Sequence, residues 1–296
     1  MKPRISVITV NYNGFSLTCA LIDSLRQWIT SPLEIIVVDN GSQRDEAALL
    51  RARYPDVVVV RSERNLGFAG GNNLGITRAT GDYLLLLNND TEVEDDSLHF
   101  LCDTLDTTAS IGVVCPKIRF FAPPRHIQFA GYTPLSSITL RNSLIGFNTP
   151  NCAAYDSPHD TPYAHGAAMM IRREAIDQAG LMPELYFLYY EELDWSLRIR
   201  AAGYRITYEP RCTVYHKESA TTGQQSPLRS YYLTRNRLLF AQRNLRGAAR
   251  PLSLAYQLCV AIPKSIVTAL LHHRRDLAAA IGRGAKAFFT FKNPMI

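Results

Sequence analysis

The chain has 296 residues, which at roughly 100–200 residues per domain allows one large domain or two modest ones. Its 17 Gly and 16 Pro exclude a collagen-like or low-complexity polymer, and six cysteines without a CxxC pair argue against a zinc ribbon or disulfide framework and fit a reducing compartment. The net charge of +6 is divided: residues 229–296 carry twelve Lys or Arg and one acid, Asp276, whereas the first 228 carry 20 bases and 25 acids.

Ahead of Asn11, the six mostly apolar residues after Met1-Lys2-Pro3-Arg4 are too short for a signal peptide's apolar core, so folding is expected in the cytosol. Residues 5–10 form a β-branched run that predicts a strand, and 17–28 place apolar residues at helical spacing. A second strand is expected over 33–38, a polar helix near 44–53 and a third strand over 57–60. A helix over 69–79 then leads into a buried strand over 83–87. This rhythm predicts an α/β fold with a doubly wound, mostly parallel sheet, whose ligands bind beyond the carboxyl ends of the strands. Further along, 111–118 reads as a strand, 121–162 as a long irregular excursion near the site, and 167–171 as a strand. A helix is expected over 191–202, with short strands over 205–208 and 213–215. From Ser226 the pattern turns helical, which divides the chain into a catalytic unit, 1–225, and a basic helical extension, 226–296.

Polar residues cluster at the expected strand ends: Asn11-Tyr12-Asn13, Asp39-Asn40-Gly41-Ser42 and Asn88-Asn89-Asp90. Asp39 can accept hydrogen bonds from a ribose or a base N–H, or can make an Asx-turn that caps the next helix. The segment Asn65-Leu66-Gly67-Phe68-Ala69-Gly70-Gly71-Asn72-Asn73 leads glycines and N–H groups into a helix N-terminus, which suits an anion and equally a structural turn. It is neither a Walker loop nor a Gly-x-Gly-x-x-Gly fingerprint. Asp90 at a strand tip suits an oxygen-ligated divalent cation, or caps the following segment. His216 is the candidate further ligand, or a structural imidazole. In Tyr190-Glu191-Glu192-Leu193-Asp194 the adjacent acids can raise one another's pKa and remove a hydroxyl proton, and acids at a helix start also favour its dipole. Asp194 and Arg198 stand at i and i+4, placed to pair as structural support.

Taken in order, these pieces resemble the family 2 glycosyltransferases of GT-A fold, and more narrowly the bacterial rhamnosyltransferase-like branch that builds cell-surface polysaccharides. The resemblance includes His165-Gly166-Ala167-Ala168, Tyr215-His216-Lys217 and Tyr231-Tyr232-Leu233-Thr234-Arg235-Asn236, and spans roughly residues 5 to 240. It implies that Asn11, Tyr12, Asn13 and Asp39 hold the nucleoside, and that Asn65, Gly67, Gly71, Asn72 and Asn89 line the nucleotide-sugar pocket. It also implies that Asp90 and His216 carry Mg²⁺ or Mn²⁺ against the diphosphate, and that Glu192 is the base of an inverting displacement, with Glu191 in reserve. Two departures stand out. The family's Asp-x-Asp is Asn88-Asn89-Asp90 here, and its Glu-Asp pair is Glu191-Glu192. A sugar nucleotidyltransferase would need a basic, Gly-rich N-terminal loop, which Asn11-Tyr12-Asn13-Gly14 does not offer; a non-catalytic nucleotide-sugar-binding module is the reading from another class.

In the extension, Leu254, Leu258, Ile262, Ile266 and Leu270 recur every four residues between flanking arginines. Pro263-Lys264 at the centre argues against a single membrane span and for an interfacial, basic amphipathic segment. The alternative is a packing element or the surface of a homo-oligomer. Long apolar stretches between the basic residues argue against nucleic acid. With the resemblance, the expected partners are a nucleotide-sugar donor and a saccharide acceptor on a lipid, met at the inner face of the cell membrane.

Overall fold

The structure, a computed structural model, describes residues 4–217 and 226–291. In the first third β1 (Ile5–Asn11), α1 (Phe15–Trp28), β2 (Leu33–Asn40), α2 (Glu46–Arg53), β3 (Val58–Ser62), α3 (Gly67–Ile76) and β4 (Tyr83–Leu87) alternate as expected. The middle holds β5 (Thr91–Glu92), α4 (His99–Thr107), β6 (Ile111–Phe120), β7 (Ile127–Phe129), β8 (His159–Asp160), β9 (Ala168–Arg172) and α5 (Arg173–Ala179). After α6 (Glu191–Ala201) and β10 (Arg205–His216) come α7 (Pro227–Asn244), α8 (Ala249–Tyr256), α9 (Ile262–Leu271) and α10 (Arg275–Thr290). A π-helical turn, Gln257–Ala261, joins α8 and α9 into one rod.

Apolar β1 and β4, with every residue of β4 buried, form the middle of a sheet ordered β3-β2-β1-β4-β9-β6-β10-β5. β1 runs parallel to β2 and β4, and β2 parallel to β3. Six strands, β3, β2, β1, β4, β6 and β10, run in one direction, as the mostly parallel expectation has it, and β9 lies antiparallel between β4 and β6. Ala168, Met169, Met170 and Ile171 are buried on both faces, and such an apolar run carries no signal of direction. The two strands expected over 205–208 and 213–215 are one, β10, whose register shifts between Glu209 and Thr213 around Pro210. A proline inside a strand removes a ladder donor and is accommodated at such an irregularity. The excursion over 121–162 contains β7, β8 and a hairpin in which Thr133 N–H donates to the Ser143 carbonyl and Ser136 N–H to that of Arg141.

Two connections position the site. β5 pairs antiparallel with the end of β10, opposing His216 to Thr91 and so carrying the imidazole to the tip of β4. The second is a clamp. Phe187, Tyr189 and Tyr190, just ahead of α6, have φ of 66°, 69° and 80°, a backbone region that costs a bulky residue about 1–3 kcal/mol. Fully buried Asn236 of α7 holds this segment, its Nδ2 donating to the carbonyls of Tyr186, Leu188 and Tyr189 at 2.9, 2.7 and 2.8 Å. Arg235 Nη2 adds a bond to the Tyr186 carbonyl at 2.6 Å.

The helical extension differs from its expected stripe. Ser253 and Gln257 are buried, donating to the carbonyls of Ile138 and Thr139 at the tip of the hairpin. This polar inward face, which hydropathy does not register, rotates the rod. Leu254, Leu258, Ile262 and Ile266 are therefore half-buried along its flank, and the exposed apolar side chains are Leu252, Val260, Val267, Leu270 and Leu271. Pro263 does not break the rod, since it falls in the first turn of α9 directly after the π-turn. By length and composition alone, Ala249–Leu271 is sufficient to cross a membrane. The division expected at 225/226 falls at residues 218–225, which lie outside the described residues.

Replacing Asn236 with Ala leaves the carbonyls of Leu188 and Tyr189 without this donor and that of Tyr186 with Arg235 alone. This is expected to destabilise the protein by about 2–4 kcal/mol in equilibrium denaturation, and unchanged stability would remove the clamp from the account.

Candidate active site

A cavity of about 410 Å³ opens beyond the carboxyl ends of β1, β2 and β4. Tyr12, Asn65, Gly67, Asn72, Asn89, Asp90 and His216 of the expected set line it. Asn11, Asn13, Asp39, Gly71, Glu191 and Glu192 do not. Asn11 is fully buried and occupied: its Nδ2 donates to Glu46 Oε2 at 2.7 Å and to Asp39 Oδ1 and Ser42 Oγ at 3.3 Å, while its Oδ1 accepts from Thr18 at 2.8 Å. Asn13, at φ 52°, ties the end of β1 to the next turn by accepting from Gln43 N–H and donating to Ser42 Oγ. Asp39 is fully buried behind the cavity, and its Oδ2 has no protein partner among the described residues. Gly71 lets α3 lie against β1, since a Cβ there would stand 2.8 Å from Val10 Cγ1.

The glycine-rich segment is a structural turn, and its leading N–H groups are taken. Leu66 N–H donates to Asn40 Oδ1, Gly67 N–H to Asn65 Oδ1 and Phe68 N–H to the Phe187 carbonyl, at 2.9, 2.8 and 2.7 Å. The anion-binding alternative therefore loses those three donors. Gly67 has φ +74°, and a Cβ on it would lie 2.2 Å from the Phe187 oxygen, so this approach requires glycine.

At the tip of β4, His216 Nε2 stands 3.1 Å from Asp90 Oδ1, with both side chains buried. His216 Nδ1 donates to Gln128 Oε1 at 2.8 Å. In the neutral ring this partner fixes the proton on Nδ1, leaving the Nε2 lone pair turned toward a carboxylate oxygen. With a proton on Nε2 as well the two make an ion pair; without it, one imidazole nitrogen and one carboxylate oxygen are a donor set that fits a divalent ion. Among the described residues no group of three His, Cys, Asp or Glu is placed to hold a metal. An ion here would take its other ligands from substrate and water.

The acids open α6. Glu191 is buried, its Oε2 lacks a partner among the described residues, and burial reinforced by the Glu192 charge pushes its carboxyl well above the ordinary range. Burial pushes the Glu192 carboxyl up to about 7. Glu192 is half-buried, its Cγ 3.9 Å from where a Cβ on Gly166 would stand, next to the cavity-lining His165; neither acid itself lines the cavity. Asp194 supports this helix start: its Oδ2 accepts from Tyr186 Oη, Asn244 Nδ2 and Arg243 Nε at 2.8, 2.9 and 3.1 Å. Arg198 makes the expected i,i+4 ion pair at 3.5 Å, while its hydrogen bonds go to the carbonyls of Ala179 and Leu181.

Several lining residues had no sequence-level assignment: Phe68, Gln128, His165, Phe187, Tyr189 and Arg229. His165 was visible in the His-Gly-Ala-Ala piece. Gln128 lies in the irregular excursion and Arg229 in the basic extension, where charge alone suggested a surface.

The model of "Glycosyl transferase family 2" matches residues 6–180. The low-salt glycan biosynthesis hexosyltransferase Agl10 of Haloferax volcanii is 29% identical over 248 residues, 81% of this chain and 76% of that protein. The N-acetylglucosaminyl-diphospho-decaprenol L-rhamnosyltransferase of Mycobacterium tuberculosis is 24% identical, covering 76% and 79% of the two chains. Among solved structures, the mannosyltransferase PcManGT of Pyrobaculum calidifontis, in complex with GDP-Man and Mn²⁺, superposes with a TM-score of 0.59 at 16% identity, over 99% of this chain and 89% of that one. With its family matched over more than half its length and a mixed sheet shared with these neighbours, the chain belongs to glycosyl transferase family 2 and has the GT-A α/β fold.

Proposed function

We propose that this protein is an inverting transferase that moves a sugar, rhamnose from dTDP-rhamnose being the first candidate, onto a saccharide hydroxyl of a lipid-linked acceptor in cell-surface polysaccharide synthesis. The observation that carries the reading is one cavity with the Asp90–His216 pair in its wall and, close to Gly166 beside its lining residue His165, Glu192 with a carboxyl pushed up to about 7. The open ring of Tyr12 and the unfilled acceptor of Asp39 suit a nucleoside. Asn65, Gly67, Asn72 and Asn89 line the donor path, with Asn11, Asn13 and Gly71 as framework. Asp90 and His216 would hold Mg²⁺ or Mn²⁺, which when bound neutralises charge on the diphosphate. Glu192 takes the proton of the acceptor hydroxyl, whose oxygen attacks the anomeric carbon as the bond to the diphosphate breaks. Glu191, buried behind it, is the reserve base.

The decaprenol-diphosphate acceptor in the mycobacterial relative's name supports a lipid-linked acceptor here. Leu252, Val260, Val267 and Leu271, exposed on a rod that also carries Arg250 and Lys264, support peripheral contact with the cytoplasmic face of a membrane. In this reading 1–225 is the catalytic unit and 226–296 an extension that both braces it and meets the lipid.

The direct test is nucleoside diphosphate release with dTDP-rhamnose, UDP-N-acetylglucosamine and GDP-mannose; pyrophosphate release instead would mean a nucleotidyltransferase. Glu192→Gln is expected to lower transfer by about 10³-fold with nucleotide affinity unchanged, and an undiminished rate would reject Glu192 as the base. Since this base must be ionised, the wild-type rate should fall about tenfold per pH unit below 7 and level off above it. Ionising a carboxyl whose pKa is raised on folding costs stability between about 4.5 and 7, so Glu192→Gln should also raise the melting temperature more at pH 8 than at pH 4.5.

Asp90→Ala should abolish turnover that excess chelator also abolishes, and His216→Ala should weaken it; full activity in chelator would refute the metal. Changing Leu252, Val260, Val267 and Leu271 together to Ser should release the protein from anionic vesicles, whereas unchanged vesicle binding with a lost dimer would make this face an oligomer contact.

A further inference from the structure

We infer that His165 donates a hydrogen bond from Nε2 to a hydroxyl of the transferred sugar, and thereby selects sugars that carry an oxygen at that position. The inference rests on the glycosyl-transfer reading and names a residue that determines its donor. His165 lines the same cavity as Asp90 and His216, and a Cβ on its neighbour Gly166 would stand 3.9 Å from Glu192 Cγ. It therefore stands between the diphosphate end and the base, where the sugar in transit must lie.

The ring is fixed in both tilt and tautomer. Tyr132 stacks on it with centroids 6.0 Å apart at 14°, and Phe129 packs against it at 4.9 Å. Its Nδ1 accepts the backbone N–H of Ala167 at 3.1 Å, so in the neutral ring the proton is on Nε2. No described residue pairs with Nε2, and it is not among the enclosed atoms that lack a partner, which leaves it open to the cavity. Burial, with a lesser effect of His216, lowers the His165 pKa to about 3, so the ring is a neutral donor throughout the working range. A neutral donor is weak for a diphosphate oxygen, which charge-assisted partners hold better, and is well matched to a hydroxyl. A site built around such a donor discriminates against a substrate lacking the matching oxygen, because the buried N–H is then left unpaired.

The test uses the full-length enzyme and whichever of dTDP-rhamnose, UDP-N-acetylglucosamine and GDP-mannose it turns over, with the monodeoxy analogues of that donor. His165→Phe keeps the ring and deletes the donor, and should lower kcat/KM for the intact donor about 10- to 100-fold. For one monodeoxy analogue the wild type should already show that loss, and the variant should add less than about threefold. His165→Gln, which restores an N–H at similar reach, should recover most of the rate, and binding of the free nucleoside diphosphate should be equal in all three proteins. An undiminished rate in His165→Phe, or equal losses on the intact donor and every deoxy analogue, would overturn the inference. Nucleoside diphosphate affinity falling in step with the rate would also overturn it, by assigning Nε2 to a phosphate. If His165→Phe does not fold, His165→Leu answers the same comparison. A wild type that releases nucleoside diphosphate from no donor refutes the transfer reading instead, a result distinct from all of these.

Discussion

One carboxamide sets the geometry on which the site depends. Asn236 gathers the carbonyl groups of Tyr186, Leu188 and Tyr189 in a segment whose aromatic residues sit in left-handed backbone, a conformation that local sequence disfavours. Held there, the Phe187 carbonyl turns to receive the Phe68 N–H, and the cavity wall and the first turn of α3 become one unit. The same segment ends at Tyr190, the residue before α6, so the direction in which Glu191 and Glu192 leave the chain is set by a side chain more than forty positions downstream. Gly67 is the complementary requirement, because any side chain there would occupy the space of the Phe187 oxygen.

The electrostatics follow from what this framework buries. Asn11, Ser42 and Glu46 satisfy one another behind β1 and β2, whereas Asp39 and Glu191 each keep a buried oxygen without a partner among the described residues. A stable domain seldom tolerates such atoms unless they serve a purpose. Asp39 precedes the cavity-lining Asn40, and Glu191 opens α6 just after the cavity-lining Tyr189.

Much of this was legible in the sequence because it depends on local chemistry. The β-branched run of β1 and the continuous apolar run of β4 admit few other readings, and polar residues at their ends mark the cavity in any sheet of this type. Asp90 and His216, 126 positions apart, were paired through motif order, and the structure brings them together through the short β5–β10 ladder. What escaped depends on partners elsewhere in the chain. The N–H groups of residues 66–68 look free for an anion until Asn40 and Phe187 are known to hold two of them. The direction of β9 is not encoded in an apolar run buried on both sides. The facing of the α8–α9 rod is decided by two polar residues, Ser253 and Gln257, whose partners lie on a distant hairpin.

The distance of Asn236 from the segment it holds also bears on how the protein is made. Chains grow from the amino end, and early domains fold as units during synthesis. Every strand of the sheet is complete by residue 216, before α7 begins at Pro227. A nascent chain at that stage has its donor cavity framed, while residues 187–190 lack the donor that holds them in left-handed backbone. The acids of α6 acquire their fixed direction only when α7 docks, after every strand of the sheet has been made.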